Sequence, residues 1–277
     1  MIMIKINHKW LDVSQIQPGI ASAKSLEIVH LLAEDSNVIE YRNFGEFNFE
    51  IQLRNRVIAA AIALDKSNVE FSTLEESESN KQYWRLSKDG TFTLQPGILP
   101  HAAIVDIFIN GRLYAFECGT AIVVTFLKAI LDLIGPRNFD DLFSNLVLYD
   151  WHPPQNMALN IHKGRDYLPG DCVYFKNPEH DEATPEWQGE NAILLGKNLF
   201  YGHGIGITSA QGIIDELNSN RRPNPSISAF LTDHIIFLDS SFYSQFQLNI
   251  PRAKPDHSPV SLSNCIVSEI GSNMYLS

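Results

Sequence analysis

The sequence predicts an α+β fold, and three observations carry the prediction. The N-terminal third shows apolar residues at helical spacing, one long apolar helix follows Cys118, and the second half breaks into short strand-like runs between turns. In order, "SAKSLEIVHLLAED" (22–35) and "FEIQLRNRVIAAAIALDKS" (49–67) read as helices. In the second, Leu53, Val57, Ala60, Ala61 and Leu64 share one face. "KQYWRLSKDGTFTLQPG" (81–97) alternates about Asp89-Gly90 and reads as a hairpin. "HAAIVDIFIN" (101–110) reads as a helix stopped near Asn110-Gly111. After Cys118, Ala121, Ile122, Phe126, Ala129, Ile130 and Leu133 form an apolar stripe, and Gly135-Pro136 marks its end. "NLVLYDW" (145–151) and "DCVYFKN" (171–177) read as strands, and "NPEHDEATPEW" (177–187) as an acidic loop. "ENAILLGKNLFYGHGIGI" (190–207) predicts two strands around Gly196-Lys197-Asn198, and "SAQGIIDELNSN" (209–220) a short helix. From Pro251 the chain is polar and rich in Pro and Ser, which predicts a loose tail.

Composition narrows the class of function. With 277 residues the chain can bury a sizeable core, and 44% hydrophobic with 19% charged residues is ordinary for a globular protein. A net charge of −11 leaves no positive field to hold nucleic acid or an anionic membrane. Three cysteines at wide spacing, Cys118, Cys172 and Cys265, are no disulfide framework and fit a reducing cytoplasm. No zinc or calcium ligand spacing occurs, so neither metal nor cofactor is expected. The longest apolar run is interrupted by Lys128 and Asp132, and no membrane span is expected.

The stretch "YAFECGTAIVVTFLKAIL" holds the strongest chemical signal. A cysteine at a helix start meets the positive end of the helix dipole, which favours the reactive thiolate. The alternative is a small core residue, since free cysteine is often buried. Cys172 and Cys265 read as inert. A nucleophilic thiol needs a partner. His203 in "FYGHGIGI" is read as lying in a strand whose other face, made of Gly202, Gly204 and Gly206, is bare; the alternative is a histidine bonded to backbone. Glu190 opens the preceding strand. A four-residue turn would set it opposite His203, and a three-residue turn on the other face. Glu117 adjoins the thiol; two such negative groups repel, so one of them holds a proton at rest. Backbone N–H groups near Cys118 and Gly119 are the expected oxyanion donors. Trp151 and Trp187 can wall an apolar site or merely pack.

"YAFECGTAIV", "LYDWH", "GDCVYFKNPE", "WQGENAILLG" and "HGIGI", together with "YWRLSKDG", resemble the spore-coat transglutaminases of Bacillus, the protein-glutamine gamma-glutamyltransferase family. The blocks fall in order over more than half the chain. The resemblance implies a papain-like core of the NlpC/P60 kind in one catalytic domain over residues 1–250, followed by a flexible tail at 251–277. It implies calcium-independent joining of glutamine to lysine in coat proteins during sporulation, by a monomer made in the mother-cell cytoplasm. It puts the nucleophile on Cys118, partner carboxylates on Glu190 and Glu117, a histidine on His203, and a substrate tunnel between Trp151 and Trp187. A cysteine peptidase or amidase on the same core, and an inactive coat protein, remain as alternatives. Gly119 departs from the family's expected alanine.

Overall fold

The structure is a computed structural model that describes residues 4–11, 22–34 and 38–246; the expected tail at 251–277 and Cys265 lie outside the described residues. The chain opens with β1 (Ile4–Ile6), β2 (Lys9–Trp10), α1 (Ala23–Glu34) and β3 (Ile39–Tyr41), the three strands forming a small sheet. Next come α2 (Phe44–Lys66), β4 (Glu70–Phe71), β5 (Trp84–Leu86), β6 (Phe92–Leu94), α3 (Pro100–Ile109), β7 (Ala115–Phe116), α4 (Cys118–Leu142) and β8 (Val147–Leu148). The second half holds β9 (Leu159–Lys163), β10 (Cys172–Lys176), β11 (Gly189–Gly196), β12 (Leu199–Gly202), β13 (Gly206–Ser209), α5 (Ala210–Ser219), β14 (Phe230–Leu238) and α6 (Ser240–Ser244). A mixed helix-and-sheet fold, as expected, is what the chain forms.

α2 begins earlier than the periodicity alone suggests. The Asn43 side chain accepts from the Glu46 N–H at 3.0 Å, and that cap starts the helix at Phe44. α4 is buried on nearly every side from Cys118 to Ile134. A helix that is apolar all round belongs inside a fold or a bilayer. α4 is long and apolar enough to cross a membrane, yet 78% of its most apolar window is buried in this fold. Its one wet stripe carries Lys128, paired with Asp132 at 2.6 Å. Gly135 breaks it at φ 77, a backbone that glycine adopts without strain, and Pro136 begins a second helical piece over 136–142.

Six strands form the main sheet in the order β13-β12-β11-β10-β14-β9, every neighbour antiparallel. Alternation along β11 sorts the core into two layers. Ile193 and Leu195 join the cluster containing α2 and α4; Ala192 and Leu194 join Phe175, Phe200, Ile213 and Leu217 on the α5 side. The sheet extends beyond the sequence reading, which missed β9 and β14. It also differs at one place that matters for function. The run from Leu199 to Ile207 is not one strand. It turns at 203–205 between β12 and β13, where Gly204 (φ 95) and Gly206 (φ 86) take positive φ.

α2 is tied to the start of β10 by a buried ion cluster. Arg54 donates through Nε to Glu50 at 2.9 Å and through Nη1 to Asp171 at 2.6 Å; Asp171 also accepts from the Leu168 N–H, and Glu50 from Ser240 Oγ. Burial opposes the Arg54 charge, but Asp171 and Glu50 outweigh it and hold the guanidinium above its ordinary value.

Candidate active site

β7 lies buried beside β4 and delivers the chain straight into α4. Glu117 is the N-cap, and its carboxylate folds back over the first turn, accepting from the Thr120 N–H at 2.6 Å and from the Gly119 N–H. A carboxylate is favoured there by the helix dipole. The Gly119 N–H, expected from the sequence to hold an oxyanion, is therefore already bonded to Glu117.

Cys118 opens the helix with 8% of its surface exposed. The expected thiolate is not its resting form. Burial pushes the thiol up, Glu190 and Glu117 push it further, and only donors from Asn191 pull it back. The hydrogen bond to its sulfur comes from Asn191 Nδ2, at 3.5 Å. Burial, and then the charge of Glu117, hold the Glu190 carboxyl well above the usual range. Its Oε1 is buried with no hydrogen-bond partner. Glu117 is raised to about 7, first by burial and then by Asp150, while the Thr120 and Gly119 donors oppose the rise.

Asp150 is a third carboxyl that sequence reasoning missed. It is 2% exposed, takes φ 45, and its Oδ2 has no partner. Burial raises it too. Gly119 explains how it comes so near. A Cβ on Gly119 would stand 2.9 Å from the Trp151 nitrogen and 3.0 Å from both Asp150 Oδ1 and Glu117 Oε2. The two carboxyls thus flank one bare glycine, and the departure from alanine has a packing reason.

His203 sits in the β12–β13 turn, not in a strand. The sequence left the pairing of Glu190 with His203 open; the register aligns Ala192 with Gly202 and then the chain turns away, so neither expected facing occurs. Glu190 meets Gly202, whose added Cβ would lie 3.0 Å from the glutamate Cγ, and it receives the His203 backbone N–H. The imidazole is engaged elsewhere. Nδ1 is 3.0 Å from Tyr201 Oη and Nε2 is 3.3 Å from the Glu70 carbonyl. Since a carbonyl only accepts, Nε2 carries the proton and Nδ1 accepts from Tyr201. Burial depresses the ring to about 4, so it is neutral near pH 7.

Trp151 is buried in the α4 layer. Trp187 is partly buried in the α5 layer, its ring 6.2 Å from Phe71, which in turn lies 6.1 Å from His203. Cys172 is buried in β10, and burial pushes its thiol far up. Among the described residues no group of three or more His, Cys, Asp or Glu is placed to hold a metal ion. Asn191 was the other omission. A lone asparagine in a strand carries no local signal, and only the fold brings it to a cysteine 73 positions away.

This fold is that of a bacterial transglutaminase. The chain is 47% identical to the transglutaminase from Geobacillus stearothermophilus (without C-terminal extension), with a TM-score of 0.71 over 74% of this chain and 98% of that one. The family profile described as protein-glutamine gamma-glutamyltransferase matches residues 3–247. A relative of that name from Bacillus cereus (strain B4264) is 42% identical over 90% of this chain and 91% of its own length. Another, from Bacillus cereus (strain AH187), is 45% identical over 79% of each. The chain belongs to the protein-glutamine gamma-glutamyltransferase family and is a transferase acting on proteins that offer glutamine and lysine.

Proposed function

We propose that the chain cross-links proteins through a thioester on Cys118, without calcium, with Glu190 and Glu117 sharing the proton work. The observation that carries this is a buried thiol at the start of α4 within electrostatic reach of two carboxyls, Glu190 and Glu117, that burial and neighbouring charge raise above their ordinary range, Glu117 to about 7. Such groups can exchange protons near neutral pH, which a carboxyl in its ordinary range cannot. Cys118 passes its proton to a carboxylate and attacks the glutamine carboxamide carbon. The carbonyl electrons move to oxygen and return as the C–N bond breaks. A carboxyl protonates the departing nitrogen, and ammonia leaves the thioester behind. A lysine amine then attacks the same carbon, losing its proton to the carboxylate, and the thiol is restored. Enclosure matters because water would hydrolyse the thioester. In this reading Trp151 and Trp187 wall the passage by which side chains reach the sulfur. His203 positions the 203–205 turn, and with it the backbone N–H that faces Glu190.

A cysteine-bearing helix against an antiparallel sheet supports a papain-like core of the NlpC/P60 kind, in one catalytic domain over residues 1–250. Coat proteins as substrates, assembly onto the spore from the mother cell and a monomeric state follow as inferences from the resemblance of the sequence blocks to the spore-coat transglutaminases. The test is incubation with a coat-protein extract, followed by mass spectrometry for glutamyl-lysine links, with and without EDTA. Links should form equally in both and vanish after thiol alkylation. Release of ammonia with no links would sink the reading in favour of an amidase; a need for added calcium would sink its metal-free mechanism.

A further inference from the structure

We propose that Asn191 reads the carboxamide of the glutamine substrate, its side-chain N–H holding the oxyanion and its Oδ1 accepting from the nitrogen that departs and the amine that replaces it. The proposal rests on Cys118 being the nucleophile.

Three observations converge. First, alternation along β11 puts Asn191 on the face of Ile193 and Leu195, toward α4, and its Nδ2 already lies 3.5 Å from the Cys118 sulfur. An oxygen on the carbon bonded to that sulfur falls within reach of the same N–H. Second, the Gly119 N–H that the helix start would otherwise offer is bonded to Glu117. One of the expected backbone donors is thereby taken, and Asn191 is the side-chain donor aimed at the sulfur. Third, Asn191 is 1% exposed and its Oδ1 is buried without any hydrogen-bond partner. Leaving such an acceptor unpaired carries a desolvation cost. A bound group that donates to it removes that cost.

One ligand chemistry fits both ends. A carboxamide presents an acceptor and a donor side by side, the mirror of the asparagine side chain, so the two pair head to tail. As the sulfur attacks, negative charge builds on the substrate oxygen and strengthens its bond to Nδ2–H. The nitrogen stays against Oδ1 until the C–N bond breaks and it leaves as ammonia. The incoming amine then occupies the same place, its N–H donated to the same Oδ1 while its lone pair forms the new C–N bond. A glutamate side chain, ionised at neutral pH, brings only acceptors and would set an oxygen against Oδ1. The site therefore separates glutamine from its own deamidated product, and an asymmetry of this kind is where hydrogen-bonding sites discriminate most.

The experiment compares Asn191→Asp, Asn191→Ser and the wild type. Acylation by a glutamine peptide is followed in single turnover, with the thermal midpoint and the limiting rate of iodoacetamide alkylation at high pH measured alongside. Asn191→Asp keeps the size and the acceptor but removes the donor, and its acylation should fall about 100- to 1,000-fold. Asn191→Ser keeps a smaller donor and should lose less. The limiting alkylation rate, read where its pH profile levels off, should hold in both, because the sulfur stays in place. The same peptide with glutamate for glutamine should compete poorly with the wild type and better with Asn191→Ser. Acylation within about threefold of wild type in the variants that fold would overturn the proposal. So would a loss of acylation matched by an equal loss of alkylation, which marks a displaced sulfur. If Asn191→Asp does not fold, Asn191→Ser decides by the same criteria. A wild type that forms no thioester refutes the proposed function instead, which separates the two failures.

Discussion

Two of the buried carboxylate groups among the described residues are built on opposite plans. Around Arg54, Glu50 and Asp171 each have a guanidinium N–H at 2.9 Å or closer, and Leu168 and Ser240 supply further donors. Around Cys118, by contrast, no Lys or Arg among the described residues forms an ion pair with Glu117, Asp150 or Glu190, and Asp150 Oδ2, Glu190 Oε1 and Asn191 Oδ1 have no hydrogen-bond partner among them. The first group spends its polarity on fixing α2 against β10. The second leaves it unspent, at a cost. Glu117, raised from 4.5 to about 7, binds a proton in the fold that the unfolded chain has released. Stability is therefore lost as pH rises from about 4.5 through 7, on the order of a few kcal/mol for such a shift. Burial alone does not mark a working site; carboxyls buried without a cation around a thiol do.

The largest expected effect separates the thiols. Cys118→Ala should abolish amine incorporation with its thermal midpoint held, while Cys172→Ala, deep in β10, should keep most activity. A dead but folded Cys172→Ala would move the chemistry to the other cysteine.

Next come the carboxyls of the unpaired cluster. Glu117→Gln and Glu190→Gln should each leave partial activity. The double variant should fall by more than the product of the two single losses, to near background, since acid–base help is worth about a hundred- to ten-thousand-fold. Multiplicative losses, together with a His203→Ala variant as inactive as Cys118→Ala, would restore a histidine as the base.

Stability should invert the comparison. Arg54→Met strands two carboxylates and should cost about 3–5 kcal/mol in urea unfolding, with the specific activity of the folded fraction intact. Glu190→Gln removes a buried carboxyl with an orphaned oxygen and should leave stability at pH 8 unchanged or raised. Equal destabilisation by both would mean the two clusters do the same structural job.

The smallest effect is a shift in pH dependence. In Glu190→Gln, Glu117 is the remaining base and works only when ionised, so single-turnover acylation should rise through about 7. Asp150 is the neighbour that raises Glu117 by charge, so adding Asp150→Asn should move that rise to lower pH. An unmoved profile would show that Asp150 does not act on Glu117.

The site was legible where its signal is local. "ECGTAIVVTFLKAIL" carries a cap, a thiol and a buried helix in one run, and Gly135-Pro136 marks the break. Asn191 and Asp150 left no such trace, because their roles come from contacts across the fold. β14 hid behind Thr232, Asp233 and His234, polar residues in a strand held by long-range pairing with β10 and β9. The misplaced strand at His203 did have a signal. Gly202, Gly204 and Gly206 fit a bare strand face, but glycines around one residue also permit the positive φ of a turn, and the turn wins because Gly204 passes close over Phe71.

One clasp at the start of α4 has a mechanical consequence. The carboxylate that closes the first turn over Gly119 and Thr120 is half protonated near pH 7, and a protonated oxygen is a poor acceptor. Each proton that reaches Glu117 therefore unfastens part of the turn that carries the sulfur, and each departure fastens it again. Chemistry and backbone breathing are geared together through one side chain. The helix end that aims the thiol cannot be stiffer than the proton it shares.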